Sequence, residues 1–218
     1  MVKEIRWLLT KEFLIEWRQR SALAGLLLYA VSTVFVCYLS FRILDDIFTW
    51  NALFWVMVLF GAINAGARSF IQESHGLQFY YYTVASPQAI ILSKIIYNMV
   101  LLAAISLVNY MAMSLFLGNP VDDPVSYLLI LIPGSTGLSG VITLVSAIAS
   151  KAGKNTAMMA ILSFPLLMPL LITLIKASRF ALLGTPPSEY MGYVGILLLL
   201  NVIVWVLSFL LFPYLWHD

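Results

Sequence analysis

The sequence predicts an all-α integral membrane protein with six transmembrane helices and an amphipathic interfacial helix at the N-terminus. Three observations predict this class. Of the 218 residues, 62% are hydrophobic and only 10% are charged, whereas about a quarter of the residues of a soluble domain carry a charge. The mean hydropathy is +0.96. The apolar residues gather into six stretches, each close to the roughly 20 residues that a membrane-spanning helix needs.

The composition excludes three classes of protein. A soluble enzyme, a nucleic-acid-binding domain and a disulfide-stabilised secreted module are incompatible with 6 Trp, 11 Tyr and 13 Phe, because a globule of 24.4 kDa cannot bury them all. The one cysteine, Cys37, cannot form an internal disulfide. The net charge of +2 is too small to indicate an acidic partner, so the positions of the charges are more informative than their sum.

Residues 1–20 predict an amphipathic helix that lies in the membrane interface. Apolar residues recur every four positions at Ile5, Leu9, Phe13 and Trp17, with Lys, Arg and Glu between them. Eight charges and the absence of a small-residue cleavage site argue against a cleavable signal peptide. The helix either only anchors the first span or has a mechanical role in an assembly.

The six apolar stretches predict the membrane spans. Backbone polar groups in lipid must be satisfied within the segment, so these stretches are helices. They are also continuous, unlike the alternating segments of an outer-membrane barrel. We predict one transmembrane domain over residues 1–218, with spans at 22–41, 48–67, 95–117, 127–149, 157–175 and 192–214.

The basic residues predict that both termini are cytoplasmic, because cytoplasmic loops carry an excess of Lys and Arg. Nine of them fall on the side of the termini: Lys3, Arg6, Lys11, Arg18, Arg20, Arg68, Lys94, Lys151 and Lys154. Three fall on the other side: Arg42, Lys176 and Arg179.

The segment 68–94 is predicted to be a cytoplasmic loop, and its length of about 27 residues exceeds most helix connections. Glu73 and His75 are polar, Gly76 interrupts the pattern, and four aromatic residues follow at 79–82. This composition predicts a short surface helix with an exposed polar corner and an aromatic base. The alternative is an interfacial loop whose tyrosines lie in the aromatic belt.

The sequence contains no catalytic constellation. Its two histidines, His75 and His217, belong to no HExxH motif, and neither CxxC nor GxSxG occurs. The chain has no room for a nucleotide-binding fold, so we predict that it is not an enzyme and does not hydrolyse ATP itself. No predicted span has a central Asp, Glu, Lys or Arg, which weakens the hypothesis of an ion-coupled transporter.

Small residues and prolines distinguish the fourth and fifth spans. Gly134 and Gly137 allow close approach of helices, while Pro165 and Pro169 each remove a backbone donor and kink the fifth span. Packing alone explains any one of these residues. Together they predict that these two spans move or line a pathway.

This order of parts resembles the permease subunits of ABC-2-type exporters. The local sequence resembles more specifically the heme exporter protein B (CcmB) family of system I cytochrome c maturation. The resemblance covers nearly the whole chain. It is carried by Phe70-Ile71-Gln72-Glu73-Ser74-His75-Gly76-Leu77, by Ser86-Pro87 and Lys94, by Gly134-Ser135-Thr136-Gly137-Leu138, and by Pro165-Leu166-Leu167-Met168-Pro169-Leu170-Leu171-Ile172. His75 departs from the acidic or polar residue expected in many relatives.

The resemblance implies a multi-pass permease domain of the bacterial inner membrane that dimerises and docks two copies of a separate ATPase subunit (CcmA-like). It implies that segment 68–94 is the coupling loop, with the ATPase contacted by Glu73, Ser74, His75, Gly76 and Leu77. It further implies three other partners: a haem-handling membrane protein (CcmC-like), a small single-span subunit (CcmD-like) and a periplasmic haem chaperone (CcmE-like).

The residues themselves argue against a resident haem. Haem iron is ligated by His, Met, Cys or Tyr, yet no histidine lies in a predicted span. Cys37 and most of the nine methionines are explained by packing. We therefore expect energy coupling, in which ATP hydrolysis by the partner releases the haem-loaded chaperone. Direct haem translocation is the alternative. Two rivals remain: an ABC-2-type permease for another lipophilic or polymeric substrate, and a non-transporting membrane scaffold.

Overall fold

The computed structural model describes residues 1–18, 21–41, 44, 46–70, 85–151 and 156–217. The five residues that we predict to contact an ATPase, Glu73 to Leu77, lie outside these ranges. Within them the chain forms seven helices: α1 Val2–Arg18, α2 Ser21–Phe41, α3 Ile47–Ser69, α4 Pro87–Phe116, α5 Pro124–Lys151, α6 Thr156–Leu182 and α7 Pro187–His217.

The predicted fold class is confirmed. Six of the seven helices, α2 to α7, are long and apolar enough to cross a membrane. The remaining helix, α1, coincides with the predicted amphipathic segment. We call the end of the bundle that carries α1, Phe70 and Ser86 the near end, and the opposite end the far end.

The helix α4 begins eight residues before the predicted span, at Pro87 where we predicted Ile95. The dipeptide Ser86-Pro87 explains the difference: Ser86 takes the extended conformation of an N-cap residue, and proline is well suited to the first helical turn. Lys94 therefore lies inside a helix, where the sequence analysis placed it in a loop.

The far-end loops are joined to one another by backbone hydrogen bonds. The amide of Leu44 donates to the Leu117 carbonyl (3.4 Å), and that of Asp122 donates to the Leu182 carbonyl (3.2 Å). Gly118 ends the turn after α4 with φ of 89°, a left-handed conformation that favours glycine. These bonds join Leu44, between α2 and α3, to the end of α4, and the loop between α4 and α5 to the end of α6.

The helix α5 is the centre of the bundle and packs against α3, α4, α6 and α7. Of its membrane-spanning stretch 78% is buried, compared with 17% for α2 and 22% for α7. The far half of the core is aromatic and contains Trp50, Phe54 and Trp55 of α3 with Tyr110 of α4 and Tyr127 of α5. The exposed faces of α2 and α7 are thus the surfaces left for lipid or partner chains.

Candidate functional site

The N-terminal helix α1 packs against the first turns of α4 at the near end. Leu8 is only 3% exposed and, with Ile5, contacts a cluster that contains Ala89 and Ile90. Phe13 meets the Tyr97 ring edge to face, with 5.3 Å between ring centroids. The amphipathic pattern of α1 is therefore matched by a helix of the bundle, which gives α1 a packing partner as well as a polar surface.

Glu4 of α1 binds the residue at which α4 begins. Its Oε2 atom accepts hydrogen bonds from the backbone amide (3.1 Å) and the hydroxyl (2.8 Å) of Ser86. Ser86 thus uses its hydroxyl to hold α1 and makes no side-chain cap on α4. Hydrogen bonds from the N-terminal ammonium group and from Ser86 lower the pKa of Glu4 to about 2. The carboxylate is therefore ionised at neutral pH, as these bonds require.

Lys94 of α4 lies between Glu12 of α1 and Phe70 at the end of α3. Its side chain is 4% exposed, and its ammonium group lies 3.5 Å from Oε1 of Glu12 and 4.7 Å from the centroid of the Phe70 ring. Burial raises the pKa of Glu12, but the nearby Lys94 and Lys11 outweigh it, so the pKa lies below its usual value. The buried cation is thus paired with a carboxylate and an aromatic face.

Phe70, at the C-terminal end of α3, closes the same cluster by packing against α7. It is 2% exposed, and its ring lies 5.5 Å from that of Phe212. We name Glu4, Glu12, Phe70, Ser86, Lys94 and Phe212 the loop-anchor cluster. Phe70 immediately precedes the segment 71–84, and Ser86 follows it after one residue. The described residues on either side of that segment, Phe70 and Ser86, are therefore held against the bundle and α1 respectively.

Gly134 and Gly137 lie where α5 meets its neighbours. A Cβ atom on Gly134 would lie 2.7 Å from both Leu174 of α6 and Trp55 of α3, and one on Gly137 would lie 2.4 Å from Leu170 of α6. The glycines therefore lie where helices approach closely, and the hypothesis that the fourth and fifth spans move or line a pathway stays a prediction. Pro165 and Pro169 do not join these glycines, because both are exposed on the outer face of α6.

Two polar networks inside the bundle were missed in the sequence analysis. At the far end, Oδ1 of Asn51 accepts from the Tyr127 hydroxyl (3.2 Å) and from the Ser178 hydroxyl (3.0 Å), which itself accepts from Nε1 of Trp55 (2.8 Å). The network joins α3, α5 and α6. The sequence analysis searched the apolar runs for charged residues, and single Ser, Thr and Asn residues are uncharged. The search therefore did not identify this network.

The second network joins α4 to α5. Nδ2 of Asn98 donates to Oγ1 of Thr143 (2.8 Å), which in turn donates to the carbonyl of Ser139 (2.6 Å). The hydroxyl of Ser146 donates to the carbonyl of Gly66 in α3 (2.8 Å). Ser139, Thr143 and Ser146 follow helical spacing in the sequence, and this periodicity of small polar residues was a usable signal.

Among the described residues, no three His, Cys, Asp or Glu side chains gather where they could hold a metal. Cys37 is half-buried in α2. Met113 and Met159 are buried in the core, and Met111 and Met168 are exposed.

The chain has been compared with known protein families and proteins. One family model, described as CcmB protein, matches residues 3–214. The match runs from α1 through the loop-anchor cluster to the last turns of α7. None of the curated proteins matches the chain.

Proposed function

Because the chain belongs to the CcmB family, it is a membrane subunit of a haem-export system for cytochrome c maturation, and we propose that it couples ATP hydrolysis to that process. The family is one of transporter permease subunits and not of enzymes. We propose that the ATPase is a separate subunit, and that its cycle drives either haem export or release of the haem-loaded chaperone.

The loop-anchor cluster is the observation that carries this proposal. A segment that transmits a partner's motion needs stiff connections to the helices that it moves. On one side of the segment 71–84, Phe70 is packed between Lys94 and Phe212. On the other, Ser86 is hydrogen-bonded to Glu4. A push on the segment would therefore reach α1, α3, α4 and α7 directly.

We further propose that Glu73, Ser74, His75, Gly76 and Leu77 contact the ATPase. The support is their position in the sequence, between two anchored ends and beside four aromatic residues. We also propose that the near end lies on the cytoplasmic side of a bacterial inner membrane, because nine basic residues fall on that side. We propose that the chain forms a dimer with a second copy of itself through exposed faces of the bundle. We also propose that it assembles with the haem-handling membrane protein, the single-span subunit and the haem chaperone named above.

Purification of the chain from its native membrane, followed by mass spectrometry of the associated proteins, tests the proposal. We expect an ATPase together with haem-handling proteins. An ATPase without haem-handling proteins would favour an exporter of another lipophilic or polymeric substrate. Recovery of the chain without any ATPase would contradict coupling and leave the scaffold hypothesis.

Substitutions in the segment 71–84 test docking separately from folding. We expect Glu73→Ala and Gly76→Val to reduce the ATPase recovered with the chain by about tenfold, which corresponds to a loss of roughly 1.4 kcal/mol. The melting temperature should stay unchanged, since contact residues on loops contribute little to core packing. Glu189→Ala, an exposed change at the first turn of α7, is the control. Normal ATPase recovery with both variants would contradict the docking hypothesis.

A further inference from the structure

One face of α4 is polar along much of the bundle. It carries Lys94, Asn98, Ser106 and Asn109, which are 4%, 4%, 0% and 0% exposed. Their spacing of three, four and eight residues places them within one stripe of the helix. At 1.5 Å per residue the stripe is about 22 Å long. We name Asn98, Ser106 and Asn109 the polar face of α4.

The near part of this face has partners and a small cavity. Asn98 donates to Thr143 of α5, as described above. Beside it lies a cavity of about 10 Å³ between α3, α4 and α5, lined in part by Gly66, Asn98 and Ser139. This volume is close to the lower limit for one water molecule. The near part of the polar face is thus satisfied and almost completely closed.

The far part of the face is different. The hydroxyl of Ser106 and both side-chain polar atoms of Asn109 have no hydrogen-bond partner among the residues that the structure describes. By contrast, the buried hydroxyls of Ser93 in α4 and Ser139 in α5 each donate to a carbonyl of their own helix. Buried polar groups without partners are destabilising and rare. Ser106 and Asn109 are therefore, like Ser114 of the same helix, buried groups that could take water or a ligand as a partner.

We propose that the polar face of α4 opens to water during the transport cycle, and that Ser106 and Asn109 then hydrogen-bond carboxylate groups of the exported amphiphile. This inference rests on the function proposed above and favours direct passage over chaperone release alone. The hydroxyl and the amide NH2 group can both donate to a carboxylate. Because Ser106 and Asn109 are neutral, the closed state buries no additional charge.

Cysteine accessibility tests the opening. Cys37 is the one cysteine of the chain, so Cys37→Ala provides a clean background for Ser106→Cys and Asn109→Cys. Membrane vesicles that contain the whole complex are treated with the anionic reagent 2-sulfonatoethyl methanethiosulfonate, with and without ATP. Leu107→Cys and Met111→Cys, on the exposed side of the same helix, are matched controls.

We expect both test cysteines to react about tenfold faster during ATP hydrolysis, as a shift of population from the closed to the open state would produce. The two controls should stay unreactive, because the reagent does not enter lipid. Test cysteines that react no faster than the controls in any state would overturn the inference. If the complex hydrolyses ATP and delivers haem normally in that experiment, the proposed function stands and only the inference fails.

Stability and transport should change in opposite directions when the unpaired groups are removed. We expect Asn109→Leu to raise the melting temperature by about 2–4 °C, since it removes an unpaired buried group, and to slow haem delivery severalfold. Asn98→Leu, which loses the bond to Thr143, should lower the melting temperature instead. A more stable Asn109→Leu protein with unchanged haem delivery would assign Asn109 to packing alone and overturn the inference.

Discussion

Trp55→Ala should lower the melting temperature of the detergent-solubilised protein by about 6–12 °C, as a loss of about 3 kcal/mol predicts. The indole is 1% exposed, lies 5.1 Å from the Phe54 ring, and donates its Nε1 hydrogen to Ser178 of α6. The substitution therefore leaves a cavity beside Gly134 and removes one bond from the Asn51 network. Both effects weaken the contact of α3 with α5 and α6.

Two further variants separate the causes of this loss. Trp55→Phe keeps most of the ring but loses the hydrogen bond, so we expect an intermediate melting temperature. Phe60→Ala removes an aromatic ring of the same helix that is 52% exposed, and we expect a shift of less than about 2 °C because no cavity forms. Equal shifts for Trp55→Ala and Phe60→Ala would show that the aromatic core is not the main determinant of stability. Scanning thermal unfolding of the three purified variants makes the measurement.

Lys94→Met should reduce ATP-driven haem delivery by about tenfold, which corresponds to roughly 1.4 kcal/mol of lost anchoring. The variant keeps the volume of the side chain but leaves the Glu12 carboxylate, 16% exposed, without one of its two cations. It also removes the cation from the Phe70 ring. We expect α1 to pack less firmly on α4, so that movement of the segment 71–84 is transmitted less efficiently to the bundle.

The double variant Glu12→Leu/Lys94→Met tests this explanation. Replacing both members of a buried ion pair by apolar groups is often neutral or stabilising, so the double variant should regain much of the delivery rate. Lys176→Met, an exposed change in α6, is the control for the loss of one positive charge. Haem-loaded chaperone formed per ATP hydrolysed is the quantity to measure. A normal ratio in Lys94→Met would contradict a mechanical role for the loop-anchor cluster.

The Trp55 prediction concerns the far half of the bundle, and the Lys94 prediction concerns its near end. The two regions are held together by different contacts. At the far end, the Asn51 network and the Trp55 ring join α3, α5 and α6 into a stable core. At the near end, Lys94 and Glu4 contact Phe70 and Ser86, the described residues that flank the segment 71–84 in the sequence. The near end is therefore held by the apolar and polar contacts of α1, and the far end by the aromatic and polar core.

The polar interior explains why a search for charged residues missed part of the site. A membrane helix that carries Asp or Lys is conspicuous, whereas Asn98, Ser106 and Asn109 change the hydropathy of α4 very little. Their burial depends on which face of α4 meets its neighbours. Sequence spacing identifies the face, but only packing shows that Asn98 has a partner and that Ser106 and Asn109 have none.

The sequence by itself determined the class of the protein and its helices. Composition and the length of the apolar runs were sufficient for the six spans, because lipid permits only segments that satisfy their own backbone. The pattern of α1 and the order of the motifs were sufficient for the family. These are local properties, since each depends on residues that are near one another in the chain.

Tertiary structure alone decided which residues act together. Glu4 and Ser86 are 82 residues apart, as are Glu12 and Lys94, and no local pattern predicts either pair. The structure also decided that Gly134 and Gly137 pack against α6 while Pro165 and Pro169 are exposed. The physical reason is that apolar helices in a membrane are alike in composition, so their neighbours are selected by shape and by a few polar contacts between distant residues.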